Sequence, residues 1–225
     1  SSVETLFGCP FQWTLKYAAK LEAADSAQVE DAASPRLLGT LLHHVMNRLF
    51  EGPPLSGAEA AAGAEAVFDR EGPRLVASLF LPGAEAQREH VRRAAAATAR
   101  ALFDMMKAKG LQVVATEVTR TGRAFGAAFI GRVDLVLGGP SGGADTRRIV
   151  DLKWGGAGRK QKLLEAGAAV QLASYAYLEA EGRAPFPAVG YYVMDGQRLL
   201  TTQPGMFRAA EAVDGPTPEE TWRRV

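Results

Sequence analysis

A chain of 225 residues can bury one substantial core, and length alone permits one domain or two small ones. Its 47% hydrophobic and 23% charged content is that of a folded globular protein and excludes wholesale disorder. A net charge of +1 supplies no global basic field, so a nucleic-acid partner has to be argued from local charge, and the single cysteine, Cys9, excludes an intramolecular disulfide framework or an all-cysteine metal site. Such cysteine usage suits a reducing cytoplasm. No apolar run approaches the roughly 18 residues that span a bilayer. No basic and apolar leader opens the chain, which starts on Ser as an excised or processed segment would. The phosphate loop of nucleotide-driven motors is missing as well.

In chain order, the first hundred residues read as helical. Between Val3 and Glu22, Phe7, Phe11, Leu15 and Tyr17 recur at helix-like intervals, interrupted by Pro10. Ser34-Pro35 is a helix start, with Ser as cap and Pro in the first turn. Leu38, Leu41, Leu42, Val45 and Leu49 then line one face up to Phe50, and Gly52-Pro53-Pro54 stops the helix. The Ala-rich stretch from Ser56 to Gly110 divides at Gly72-Pro73 and Pro82-Gly83 into two or three scaffold helices, without an internal repeat.

At Leu111 the texture changes. Leu111 to Thr119, Ala124 to Leu137 and Arg147 to Trp154 read as three strands, the last two joined by a turn over Gly138-Gly139-Pro140-Ser141-Gly142-Gly143. A helix over Lys162 to Glu181 ends at Gly182, a strand follows over Ala188 to Met194, and a weakly patterned tail closes the chain. Helices, three strands, a helix and a strand make a mixed α/β domain. The expected division is a mainly helical part over 1–110, a core over 111–194 and a tail over 195–225, all within one domain.

The chemistry concentrates in the hairpin from Gly131 to Trp154. If its turn centres between Gly142 and Gly143, Asp134 and Asp151 fall opposite each other, where directly opposed side chains lie roughly 4.5–5.5 Å apart at Cβ. Two like charges there are destabilising unless a cation lies between them or one is protonated. Lys153, two residues beyond Asp151, projects from the same face. Two carboxylates and an ammonium on one patch are what metal-assisted phosphodiester hydrolysis needs, since hard divalent cations prefer oxygen ligands. Asp-x-Lys alone arises about once by chance in a chain this long, so its weight comes from its surroundings. Arg147 to Lys162 adds six basic residues against Asp151, a local charge of +5 that includes Arg159, Lys160 and Lys162 and suits a phosphate backbone.

Those surroundings resemble the RecB/AddB-type nuclease branch of the PD-(D/E)XK superfamily from about Ser1 to Met194. Cys9-Pro10-Phe11 is similar to an amino-terminal C-P-F element and Gly39-Thr40-Leu41-Leu42-His43 to a G-x-x-x-H helix. Gly131-Arg132-Val133-Asp134 resembles G-R-[IV]-D, Asp151-Leu152-Lys153 resembles D-x-K, and Gln171 through Tyr175 resembles Q-x-x-x-Y. The resemblance implies a restriction-endonuclease-like αβββαβ core behind a helical amino-terminal region. It implies Mg²⁺ or Mn²⁺ held by His43, Asp134, Asp151 and the Leu152 carbonyl, with Lys153 positioning or activating the attacking water. Glu117 reads either as an exposed strand carboxylate or as an outer partner of the metal site. Gln171 and Tyr175 would line the DNA side.

The implied activity is that of an exonuclease-type deoxyribonuclease domain in a helicase–nuclease system of DNA repair and recombination. DNA, single-stranded or as duplex ends, would be the substrate, and a helicase subunit or fused helicase the partner. The main alternative is a catalytically inactive DNA-handling module. Branch members with an iron–sulfur cluster use three further cysteines that this sequence lacks, so no cluster is expected and Cys9 reads as a small buried apolar residue.

Overall fold

The computed structural model describes residues 5–7, 9–21, 34–124, 126–139 and 146–225. A short helix α1 (Pro10–Trp13) continues as a π-helix over Thr14–Ala18, and this segment stays on the surface, with Phe11 71% exposed. Cys9 departs from its expected burial. It is exposed, and its Sγ caps α1 by accepting from the Gln12 amide at 3.5 Å.

Helix α2 (Pro35–Phe50) starts on the proline whose fixed φ suits a first turn. Ser34 occupies the cap position, but its side chain makes no capping bond. Leu41, Leu42, Val45 and Met46 are fully buried, each such side chain contributing about 1.5–3 kcal/mol of apolar burial. Helix α3 (Gly57–Leu75) opens on a capping box between Ser56 and Glu59. It runs through Gly72-Pro73 without the expected break, because Pro73 reaches only the last turn and Gly72 admits the Phe80 ring, 2.5 Å from where a Cβ would stand. A 3₁₀ turn over Ala77–Phe80 leads to α4 (Glu85–Lys109), which ends on left-handed Gly110.

The sheet has six strands in sequential order: β1 (Gln112–Ala124), β2 (Ala127–Gly138), β3 (Arg148–Lys153), β4 (Ala188–Val193), β5 (Arg198–Thr201) and β6 (Glu211–Ala212). The first three form an antiparallel meander, and β3 pairs with β4 in parallel. The crossover consists of α5 (Ala157–Glu165) and α6 (Val170–Glu179). This corrects the single helix expected over Lys162 to Glu181: Gly167, at φ +63°, turns the chain between the two. The tail carries more structure than its pattern suggests, adding β5, β6 and α7 (Pro218–Arg223), whose capping box joins Thr217 and Glu220.

Leu135, Leu137, Val150 and Leu152 pack on one face against α2, α3 and α4, while Val133, Val136, Ile149 and Tyr191 meet α6 on the other. Every residue of β4 is buried, as a strand covered on both faces requires. Glu179 of α6 is buried and pairs with both Arg120 of β1 and Arg147, tying the crossover to the meander. β1 also holds one extra residue: pairing shifts between Val113 and Ala115, so Val114 bulges out and is 49% exposed.

Candidate active site

Strand register builds the site. Leu135 pairs with Val150 and Leu137 with Arg148, so the next step of the ladder sets Asp134 opposite Asp151. This is the register that equidistance from residues 142 and 143 requires, although those turn residues lie outside the described ones. On the other side of β2, Thr116 pairs with Leu135 and Val118 with Val133, which sets Glu117 opposite Asp134. Three carboxylates thus form a row across three neighbouring strands. Glu117 has φ +46°, a conformation a bulky residue adopts only when its surroundings hold it there.

Helix α2 lies over this row and brings in His43. Its Nδ1 is 3.0 Å from Glu117 Oε1, its Nε2 2.9 Å from the Leu152 carbonyl oxygen and 3.9 Å from Asp134 Oδ2. Asp134 Oδ2 also accepts from the Leu152 amide at 2.8 Å. Lys153 Nζ stands 2.6 Å from Asp151 Oδ2 and 4.0 Å from Asp134 Oδ2. Arg132 Nε is 2.6 Å from the second oxygen of Glu117. The cleft above, about 490 Å³, is lined by His43, Glu117, Arg132, Leu152, Lys153 and Trp154 among others.

The electrostatics follow from burial and crowding. Asp134 is pushed up to about 7, first by burial and then by the Asp151 charge, against the pull of His43, Lys153 and the Leu152 amide. Burial by itself would lower His43, but the Glu117 hydrogen bond, the Asp134 charge and the Leu152 carbonyl outweigh it and raise the imidazole. Glu117 is lowered, chiefly by its bond to His43, with Arg132 and Asn47 assisting. Both nitrogens of His43 therefore face oxygen acceptors, an arrangement that favours the protonated imidazole when no metal ion is bound.

Do these residues suit a divalent cation? Ligand atoms of His43, Glu117 and Asp134 lie within 4.8 Å of one another. At metal–ligand distances near 2.1 Å, neighbouring ligands of an octahedral ion stand about 3 Å apart, close to the 2.9 Å between His43 Nε2 and the Leu152 oxygen. Asp151 gives the strongest sign. It is fully buried, Lys153 Nζ stands 2.6 Å from its Oδ2, and no hydrogen-bond partner among the described residues meets its Oδ1. One lysine offsets its charge but leaves Oδ1 unpaired, and a buried carboxylate oxygen without a partner is costly unless a further cation completes its surroundings. The donor set fits.

The remaining sequence-predicted residues are dispersed. Gln171 donates to the Tyr175 hydroxyl at 2.8 Å, and Tyr175 lies in the core cluster on the α6 face, its ring 3.1 Å from where a Gly131 Cβ would stand. The basic run is not one loop. Arg147 pairs with Glu179, and Arg148 donates to the Met206 carbonyl at 3.1 Å. Arg159, Lys160 and Lys162 lie on α5, where Lys160 sits 4.6 Å from the Tyr191 ring centre. Sequence reading passed over Asn47, one helical turn beyond His43, and the side chain of Arg132, two residues before Asp134. The spacing of four on a helix and two on a strand would have marked both.

Compared with known families, the sequence matches the model of the PD-(D/E)XK nuclease superfamily over residues 1–224. No curated protein matches it.

Proposed function

The chain belongs to the PD-(D/E)XK nuclease superfamily, and on that premise we propose that it is a Mg²⁺- or Mn²⁺-dependent deoxyribonuclease. Its setting, in this reading, is the exonuclease-type domain of a helicase–nuclease system in DNA repair and recombination. The observation that carries the catalytic part is the buried Asp151 carboxylate, paired with Lys153 through Oδ2, unpartnered at Oδ1 among the described residues and in register with Asp134, beneath a cleft that also holds His43 and Lys153.

His43, Asp134, Asp151 and the Leu152 carbonyl would hold the ion, and Glu117 would fix the His43 ring by accepting from Nδ1. When bound, a hard divalent cation makes water more acidic and offsets charge on a phosphoryl oxygen. Lys153 does the rest from the chain's side. Asp151 keeps its ammonium at the cleft floor, where it can orient the attacking water or stabilise a phosphate oxygen as charge grows there. Tyr175 packs on Gly131 of the strand that carries Asp134 and accepts from Gln171, and we place the DNA strand along that side.

End-labelled linear DNA beside a closed circle tests the function. With Mg²⁺ or Mn²⁺ the linear substrate should be degraded from its ends and the circle spared, and chelator should stop the reaction. No cleavage of either substrate with either ion would return the chain to a non-catalytic DNA-handling role. Cleavage of the circle would overturn the exonuclease part alone.

Arg159 and Lys162 are exposed on α5, which follows the catalytic strand after three residues. Replacing both with Gln should weaken binding to all DNA sequences alike. The log–log salt slope should flatten by roughly 0.7–0.9 for each phosphate that is no longer neutralised. Binding isotherms at several salt concentrations measure it, and an unchanged slope would leave these residues as ordinary solvated surface.

A further inference from the structure

Arg132 has no place in the ligand set above, yet it lines the same cleft. It precedes Asp134 by two residues on β2, so both side chains leave one face of the strand. Its Nε is 2.6 Å from Glu117 Oε2, while 69% of the side chain remains exposed. Glu117 uses its other oxygen on His43. One carboxylate, itself only 19% exposed and on a backbone at φ +46°, therefore holds two cationic groups at once.

An ion pair with so exposed a cation contributes little to stability. What it does supply is orientation. A guanidinium is planar, carries five N–H donors in a fixed fork and accepts nothing. With Nε anchored on Glu117, the plane is set and its terminal nitrogens stay with the exposed part of the side chain at the cleft. Anchoring reduces the entropic cost of binding a substrate oxygen, which is how a positioning group improves binding. Arg36, from the first turn of α2, lines the same cleft from the helix side.

We propose that Arg132 is a phosphate-positioning residue: its guanidinium, aimed by Glu117, takes the non-bridging oxygens of a backbone phosphate of the nucleic-acid strand in the cleft. The contact is to phosphate, so it carries no sequence preference. Glu117 thereby couples the two halves of the site, with one oxygen on His43, a proposed metal ligand, and one on the group that seats the substrate. This deepens the nuclease reading and rests on it.

Arg132→Ala and Arg132→Lys test it beside the wild-type protein, with a labelled oligonucleotide. Arg132→Ala should raise KM about tenfold, the scale of one charge-assisted hydrogen bond, with kcat within about threefold. Its log–log salt slope for DNA binding, measured in chelator, should fall by roughly 0.7–0.9. Its gain in Tm on adding Mn²⁺ should equal that of the wild type. Arg132→Lys should restore the salt slope, because the charge returns, but not KM, because the fork does not. Unchanged KM and salt slope in Arg132→Ala would overturn the proposal. So would a fall in kcat together with a missing Mn²⁺ response, which would make Arg132 a prop for Glu117 and His43. If the wild-type protein binds DNA but cleaves none, the nuclease reading fails, while the salt slope still decides whether Arg132 touches phosphate.

Discussion

Replacing Lys153 with alanine is expected to reduce DNA cleavage by roughly 10²- to 10⁴-fold, the range typical of one positioned proton-transfer or charge-stabilising group. DNA binding should change little. The ammonium stands 2.6 Å from Asp151 and 4.0 Å from Asp134, at the end of β3 where the chain leaves the sheet, and only its head belongs to the polar cluster. A group used chiefly when charge develops on the reacting phosphate affects turnover far more than ground-state affinity. Single-turnover cleavage with Mn²⁺ measures the loss, and a thermal melt shows whether the variant is folded. A folded variant that cleaves within threefold of the wild type would remove Lys153 from the chemistry.

The second large effect concerns Asp151. Without metal its buried carboxylate repels the facing Asp134 and, among the described residues, is offset only by the Lys153 ammonium, 2.6 Å away and partly exposed. Asp151→Asn relieves that repulsion and frees the ammonium to turn to solvent, so the variant should be as stable as the wild type, or more so, in chelator. The same change removes a proposed ligand. The wild-type melting temperature should rise with Mn²⁺ concentration over Kd, and the variant should gain little. His43→Ala should also lack the Mn²⁺ gain, without the relief of charge.

The effect of pH sharpens the test. Asp134 is raised to about 7 in the folded protein, so between its ordinary value and about 7 the folded state binds a proton that the unfolded state has released. That contribution is present at low pH and is lost as pH rises through about 7. The raised His43 acts in the same direction, its stabilisation disappearing as pH rises through its folded value. In chelator the wild-type melting temperature should therefore fall from pH 5 to pH 8. The fall should be shallower in Asp151→Asn, because the second cause of the Asp134 shift is gone. An Asp151→Asn protein that is strongly destabilised in chelator and still gains fully from Mn²⁺ would make Asp151 structural.

Much of this arrangement is legible in the sequence because it depends on period and register. Helix α2 could be read from its apolar spacing and its Pro start, and the opposition of Asp134 and Asp151 from equidistance alone. Elements below about six residues were beyond reach: β5 and β6 carry too few side chains to establish a period, and pairing with a neighbour decides them. The break between α5 and α6 depends on one glycine in a stretch that otherwise reads as continuous helix. The basic run misled for a different reason. Local charge counts cannot show that Arg147 is bound to a buried carboxylate 32 residues later. Nor does an alternating strand pattern reveal that Glu117 reaches a histidine 74 residues earlier.

The bulge at Val114 has a consequence for which changes of length the chain can accept. Before it, Val113 faces Leu137; after it, Ala115 faces Val136. Had β1 run on from Val113 with Val114 paired in the ladder, Thr116 would stand opposite Asp134, and Glu117 would be carried one place along to Val133. A one-residue slip in a sheet also exchanges its two faces. Straightening β1 without shortening it would therefore withdraw the carboxylate from His43 and Arg132 together, whereas deletion of Val114 removes the extra residue and leaves Glu117 opposite Asp134. Length here acts as a vernier: one residue of slack near the start of β1 decides where the charge at its middle stands, and only one setting closes the circuit of His43, Glu117 and Arg132.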